Sequence, residues 1–220
     1  MEVCKKKLGW IASLVLFVSF LGMSRGVYFE STWLAQLDHY GNELFRLDLS
    51  SEMTDWIFSF TQIGSIRNLI LLALVIGALL LYNNKKHSFF WFGITMMIAG
   101  GLTPLILKQV FGRQRPVDGL FTRTGYSFPS GHTMGTLALY GLIIMLAMTY
   151  IKRTWMRYTV MIVAFSIILI VSWSRIHLGV HYFSDVLGSL FLGVSLLNGA
   201  RLVRDRLDDE GCSKKRLVKD

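Results

Sequence analysis

Six stretches of this chain contain no Asp, Glu, Lys, Arg or His: residues 8–24, 68–84, 88–107, 133–151, 158–174 and 186–200. Five reach 17 residues or more, and the sixth has 15. A bilayer core of about 30 Å needs roughly 20 residues of helix, with a usual range of about 17–25. Within that core every backbone N–H and C=O must be satisfied inside the segment, which leaves helices as the way for such stretches to cross. The expected fold is therefore all-α: a polytopic membrane protein with a bundle of six transmembrane helices, forming one domain over residues 1–220. The sixth stretch borrows length from its flanks, where Arg201 can snorkel to the headgroups. Residues 8–24 follow Lys5, Lys6 and Lys7 as a secretory signal would, but the run is long and Met23-Ser24-Arg25-Gly26 is a poor cleavage site. It is read as an uncleaved first span.

Composition excludes the main alternatives. Hydrophobic residues make up 53% and charged residues 17% of the 220; a soluble domain carries about 25% charge, and a disordered chain is poor in aliphatics and aromatics. The net charge of +9 points by itself toward nucleic acid. The charges lie between apolar blocks and form no stripe, so a nucleic-acid partner is not expected. Cys4 and Cys212 are too few and too far apart for a metal motif, and with both termini cytoplasmic they are expected to be reduced thiols.

Lys and Arg in the loops set the orientation. With the N-terminus inside, the inner segments hold 15 of the 23 cations and the outer segments 8. Both termini are thus expected in the cytoplasm of a cell whose plasma membrane holds the protein. Residues 27–67 form a long outer segment. Trp33, Leu34, Leu37, Leu44, Phe45 and Leu47 interleave there with Asp38, Glu43 and Asp48, which fits a helix lying in the interface. Asp55-Trp56-Ile57-Phe58 reads as the start of another apolar helix leading into the second span. Cover and substrate gate are equally open as roles for this segment. The tail after Ala200 reads as a solvated helix end.

Five outer cations crowd into residues 108–123 and Arg175. Lys108, Arg115 and Arg175 come from separate segments at one membrane depth, where cations are costly without an anion or water. Each alone is consistent with headgroup snorkelling. Together, with two histidines nearby, they point to a phosphate site, because the planar guanidinium fork matches phosphate oxygens. Pro129-Ser130-Gly131-His132 reads as a helix start, with Ser130 as N-cap. The first N–H groups and the positive end of the dipole there favour an anion, and Gly131 permits close approach to the backbone. His181 and Asp185 are four apart, on one face if the sixth helix begins near His181. The carboxylate can then fix the tautomer of His181 and aim its other nitrogen at an electrophile; a purely structural His–Asp pair is the alternative. His177, His39 and His87 are read as bystanders. Residue types alone leave open which histidine attacks.

These three stretches resemble the signature of the type 2 phosphatidic acid phosphatase superfamily, whose members are membrane lipid phosphatases related to soluble acid phosphatases and vanadium haloperoxidases. Its pattern is Lys, six residues, Arg-Pro; then Pro-Ser-Gly-His; then Ser-Arg, five residues, His, three residues, Asp. Lys108, Arg115, Pro116, Pro129, Ser130, Gly131, His132, Ser174, Arg175, His181 and Asp185 match every fixed position. The resemblance implies that Lys108, Arg115, Arg175, Ser130 and the Gly131 N–H bind phosphate. It implies His181 as nucleophile, Asp185 as its orienting partner and His132 as proton donor. It implies no cofactor and no metal. The small six-span plan is similar to that of bacterial members acting on undecaprenyl pyrophosphate or phosphatidylglycerol phosphate. A phosphotransferase passing phosphate from a lipid pyrophosphate to another lipid is the nearest alternative activity.

Overall fold

The computed structural model describes residues 2–121 and 124–217, with side chains over 7–121 and 124–207. The side chains of Cys4, of Cys212 and of the other residues after Leu207, and the whole of Arg123, therefore lie outside the described residues. Among the described residues nine α-helices follow one another: α1 (Glu2–Tyr28), α2 (Thr32–Phe45), α3 (Ser51–Thr61), α4 (Ile66–Tyr82), α5 (Lys86–Thr95), α6 (Thr103–Phe111), α7 (Gly131–Tyr150), α8 (Thr154–His177) and α9 (Phe183–Leu217). A 3₁₀ turn (Gln62–Gly64) separates α3 from α4, and a π-helical stretch (Met96–Leu102) joins α5 to α6.

Five continuous helical segments are long and apolar enough to cross a membrane: Lys7–Tyr28, Lys86–Phe111, Gly131–Tyr150, Thr154–His177 and Phe183–Leu207. The pair Ser51–Gly64 and Ile66–Tyr82, bent by 44° at its break, brings the number to six if it counts as one span. Two features of these spans are invisible in the charge-free runs. The second span is broken between α3 and α4, where Ser65 is extended. The third carries the π-helical widening just before Pro104; the proline ring excludes an ordinary i−4 bond, and a wider turn absorbs the misfit. The sixth span is longer than its 15-residue apolar run, since α9 already begins at Phe183.

Helix α7 is the central element. Most of its residues from Thr133 to Ala147 are buried, against α8, α9, α4 and the π stretch. Its apolar side chains share a core with Leu69, Leu80, Phe92, Ile168 and Leu197. The outward residues are apolar too: Leu14, Leu74, Val110 and Ile162 are each well over half exposed. A chain that is apolar both inside and outside has hydrocarbon as its solvent.

Helices α1 and α9 pack antiparallel along much of their length. Asn198 donates to the Gly9 carbonyl and to Ser13 Oγ, both at 2.8 Å, and Ser195 Oγ donates to the Ser13 carbonyl at 2.8 Å. Polar side chains are effective glue between helices in lipid, where each such bond contributes about 0.6 kcal/mol on average. This pairing puts both ends of the chain at one end of the bundle. The same end holds the α4–α5 turn, where Lys85 lies over the Tyr150 ring (5.3 Å), and the Arg204–Trp91 and Arg206–Trp10 stacks. At the opposite end converge the C-termini of α6 and α8 and the N-termini of α7 and α9.

That far end is covered by α2, α3 and the 112–130 loop. Helix α2 does more than lie in an interface. Leu34, Asp38 and Gly41 are buried, and the Gly41 backbone sits so close to Phe183 that a Cβ would fall 2.3 Å from its side chain. His177, read as a bystander, is fully buried; its Nδ1 accepts from the Leu47 N–H (3.3 Å), while Trp173 donates to the Phe45 carbonyl (3.1 Å). These bonds tie the end of α2 to α8.

Candidate active site

Four helix ends and the two segments that join them bring the signature residues together. Helix α6 stops at Gly112, whose φ of 58° is the left-handed cap that glycine adopts without strain. The chain then turns across the bundle end and presents Arg113 and Arg115. Lys108, in the last turn of α6, donates to the Tyr126 and Ser127 carbonyls, and its Cε lies 3.8 Å from where a Gly131 Cβ would stand. Lys108 and the first turn of α7 are thus neighbours. Ser130 caps that turn: its Oγ accepts from the Thr133 N–H (3.4 Å), and its own N–H donates to Ser189 Oγ on α9 (2.7 Å). His132 follows in the same turn, beside Gly64 at the break of the second span.

Arg115 donates to the carbonyls of Gly125 (2.9 Å), Val180 (2.7 Å) and Tyr126 (3.3 Å). Carbonyls orient a guanidinium without cancelling its charge. Its NH1 also stands 3.2 Å from His181 Nε2. Arg175, near the end of α8, is buried, and its NH1 donates to Thr61 Oγ1 at 3.0 Å. Its backbone carbonyl accepts from the N–H groups of Val180 and His181.

His181 is 2% exposed and Asp185 is fully buried. Nδ1 of the imidazole lies 3.3 Å from Asp185 Oδ2. A carboxylate on Nδ1 and a guanidinium donor on Nε2 are compatible with one neutral tautomer, protonated at Nδ1. The Nε2 lone pair then faces Arg115. The origin of this pairing differs from the shared helical face expected from the sequence. Helix α9 starts at Phe183, so His181 precedes it. Asp185 reaches back out of the first turn, and its Oδ2 also accepts the Tyr182 N–H at 3.0 Å. The contact is a capping turn, which uses an otherwise unpaired helix-start donor to fix the carboxylate. Burial, and then the charges of Arg115, Lys108 and Arg175, hold the His181 imidazole well below the usual histidine pKa.

Three residues at this site carry no weight in the signature. Arg113 NH1 donates to Asp185 Oδ1 (2.7 Å) and to Ser184 Oγ (2.8 Å), while its NH2 donates to Asp38 Oδ2 (2.6 Å). Burial opposes its charge, but Asp185 and Asp38 outweigh that and raise its pKa. Asp38, from α2, also accepts the Ser184 N–H at 2.7 Å. Thr61, from the last turn of α3, holds Arg175 and accepts from Ser174 Oγ (2.8 Å). A signal for Asp38 does exist in the sequence: Leu34, Asp38, Gly41 and Phe45 are spaced as one helical stripe, with an acid in an otherwise apolar row.

Cations from α6, α8 and the 112–130 loop therefore surround one neutral imidazole at the rim of a helical membrane bundle. This is the architecture of a membrane-embedded phosphoryl-handling enzyme. The sequence profile of the PAP2 superfamily matches residues 88–208, and the chain belongs to that superfamily as a multi-pass membrane lipid phosphatase. Phosphatidylglycerophosphatase B of Bacillus subtilis is 33% identical over 144 residues, covering 62% of this chain and 68% of its own. The crystal structure of a transmembrane PAP2-type phosphatidylglycerolphosphate phosphatase from Bacillus subtilis superposes with a TM-score of 0.79 at 24% identity, covering 88% of this chain and 96% of that one. The likeness in fold therefore extends well outside residues 88–208.

Proposed function

We propose that the enzyme dephosphorylates phosphatidylglycerol phosphate, undecaprenyl pyrophosphate or both through a phosphohistidine on His181. The supporting observation is the His181 Nε2 lone pair, set among Arg115, Lys108 and Arg175 by the Asp185 carboxylate behind it. In this scheme Lys108, Arg115, Arg175, Ser130 and the Gly131 N–H bind the phosphoryl oxygens. His181 Nε2 attacks phosphorus as the bond to the leaving oxygen breaks, and His132 gives that oxygen a proton. A water then loses a proton to His132 and attacks the phosphohistidine. The P–N bond breaks and inorganic phosphate leaves. Asp185 stabilises the positive imidazole of the intermediate. Fixed cations and N–H donors face the equatorial oxygens, where transition-state charge resides. No metal or other cofactor enters these steps.

The bacillary relative's name, phosphatidylglycerophosphatase B, favours the glycerolipid as substrate. A site at the rim of the bundle suits either lipid, since its phosphate lies at headgroup depth while the tail stays in hydrocarbon. The excess of Lys and Arg at the other end favours a cytoplasmic location for both termini and an extracytoplasmic one for the site.

The test is phosphoenzyme trapping with substrate labelled in the transferred phosphoryl group. Wild type is expected to carry label that His181→Ala loses entirely, while His132→Ala slows turnover by about 10²-fold or more. Label that survives His181→Ala refutes the assignment. Inorganic phosphate released by purified protein in chelator, without an added acceptor, identifies hydrolysis; release only on addition of a second lipid identifies transfer.

A further inference from the structure

The structure assigns Asp38 and Arg113 a role in tuning His181. We infer that they are positioning residues forming, with Asp185, a buried charge relay that sets how readily the imidazole accepts positive charge. The inference rests on His181 being the nucleophile. Asp38 lies outside the matched residues 88–208, and no other acid from the first third of the chain enters the site's described hydrogen bonds.

The geometry is specific. One guanidinium is divided between two carboxylates, with NH1 on Asp185 Oδ1 and NH2 on Asp38 Oδ2. Its plane also lies over the Tyr182 ring at 4.1 Å. Arg113 thus occupies one oxygen of Asp185 and leaves the other to His181 Nδ1 and the Tyr182 N–H. Asp38 accepts only: from Arg113, the Ser184 N–H and Ser184 Oγ. Side-chain exposures of 6%, 17% and 0% for Asp38, Arg113 and Asp185 leave little water to screen the three charges.

The charge count gives the device its sign. With only Arg113 behind it, Asp185 would be neutralised and lend His181 little support. Asp38 takes up half of that cation, so the trio keeps one net negative charge against the imidazole. The charged groups acting on His181 from elsewhere are Arg115 of the loop, Lys108 of α6 and Arg175 of α8. Positive charge thus dominates the phosphate side, and the trio supplies the balance behind Asp185.

The experiment is the pH profile of kcat/KM for the purified full chain on one lipid phosphate. Substrate ionisation is common to all variants, so a difference between profiles belongs to the enzyme. Asp38→Asn leaves the trio neutral and should move the acid limb down by roughly 0.5–1 pH unit, with kcat lowered about tenfold and KM little changed. Asp38→Glu keeps the charge and should keep the limb at its wild-type position. Arg113→Gln should move the limb up, and Asp38→Asn with Arg113→Gln should return it toward wild type. Additive loss of activity with an unmoved limb would show that Asp38 merely docks α2, and overturns the relay. If Asp38→Asn does not fold, by size exclusion in detergent, the Arg113→Gln limb decides alone. An unmoved limb there overturns it too. Phosphoenzyme trapping in each variant separates these outcomes from failure of His181 as nucleophile.

Discussion

His181 illustrates how one side chain is prepared by surroundings that oppose its charge. A fully solvated imidazole is half protonated near pH 6.5 and loses its nucleophilic lone pair below that. Here burial and three neighbouring cations keep it neutral. Two expectations follow. With a substrate whose own ionisation is known, the acid limb of kcat/KM attributable to the free enzyme should fall below 6.5. Stability has the same direction. Between 6.5 and the lower folded value, the unfolded chain holds the proton that the folded chain refuses, so stability declines as pH falls. His181→Gln should therefore show a shallower loss of Tm than wild type between pH 7 and pH 5 in detergent. An equal slope in both proteins would locate the acid sensitivity elsewhere.

At the scale of elements, the spans were legible because the bilayer imposes length and charge-free composition on each. The signature was legible because Lys108 and Arg115, or His181 and Asp185, are close along the chain. What escaped is non-local. Asp38 meets Ser184 across 146 residues and Thr61 meets Arg175 across 114, and no local period encodes such meetings. Arg113 was visible as one cation among five but not as the partner of a carboxylate. The break at Gln62–Gly64 was hidden because Ile63 and Gly64 read as ordinary residues of an apolar helix. Helix α2 read as interfacial because Trp33 and Leu44 are indeed exposed, whereas its buried stripe contains the acid. Its docking is testable at Gly41. A valine there must displace Phe183 at the start of α9, at an overpacking cost of about 1–3 kcal/mol. Gly41→Val should lower kcat by roughly tenfold or more through the displaced Asp38, with the spans still inserted. Unchanged kcat would mean that α2 is dispensable to the site.

For the molecule as a whole, the site and the two ends of the chain occupy opposite ends of the bundle. The proposed orientation predicts that an impermeant maleimide applied to intact cells labels Val117→Cys, at a fully exposed position of the 112–130 loop. It predicts no labelling of the native Cys4 and Cys212 until the membrane is permeabilised. Labelling of the native cysteines alone would invert the assignment of sides and leave the fold untouched.

The antiparallel clasp of α1 and α9 has a consequence for biosynthesis. Ser13 meets Ser195 across 182 residues, so α1 waits for its partner until α9 has left the ribosome. His181, the proposed nucleophile, and Asp185 lie just before α9 and in its first turn. On the proposed mechanism, a nascent chain stalled short of α9 is chemically inert as well as incompletely packed, and lipid turnover begins only once α9 has entered the membrane.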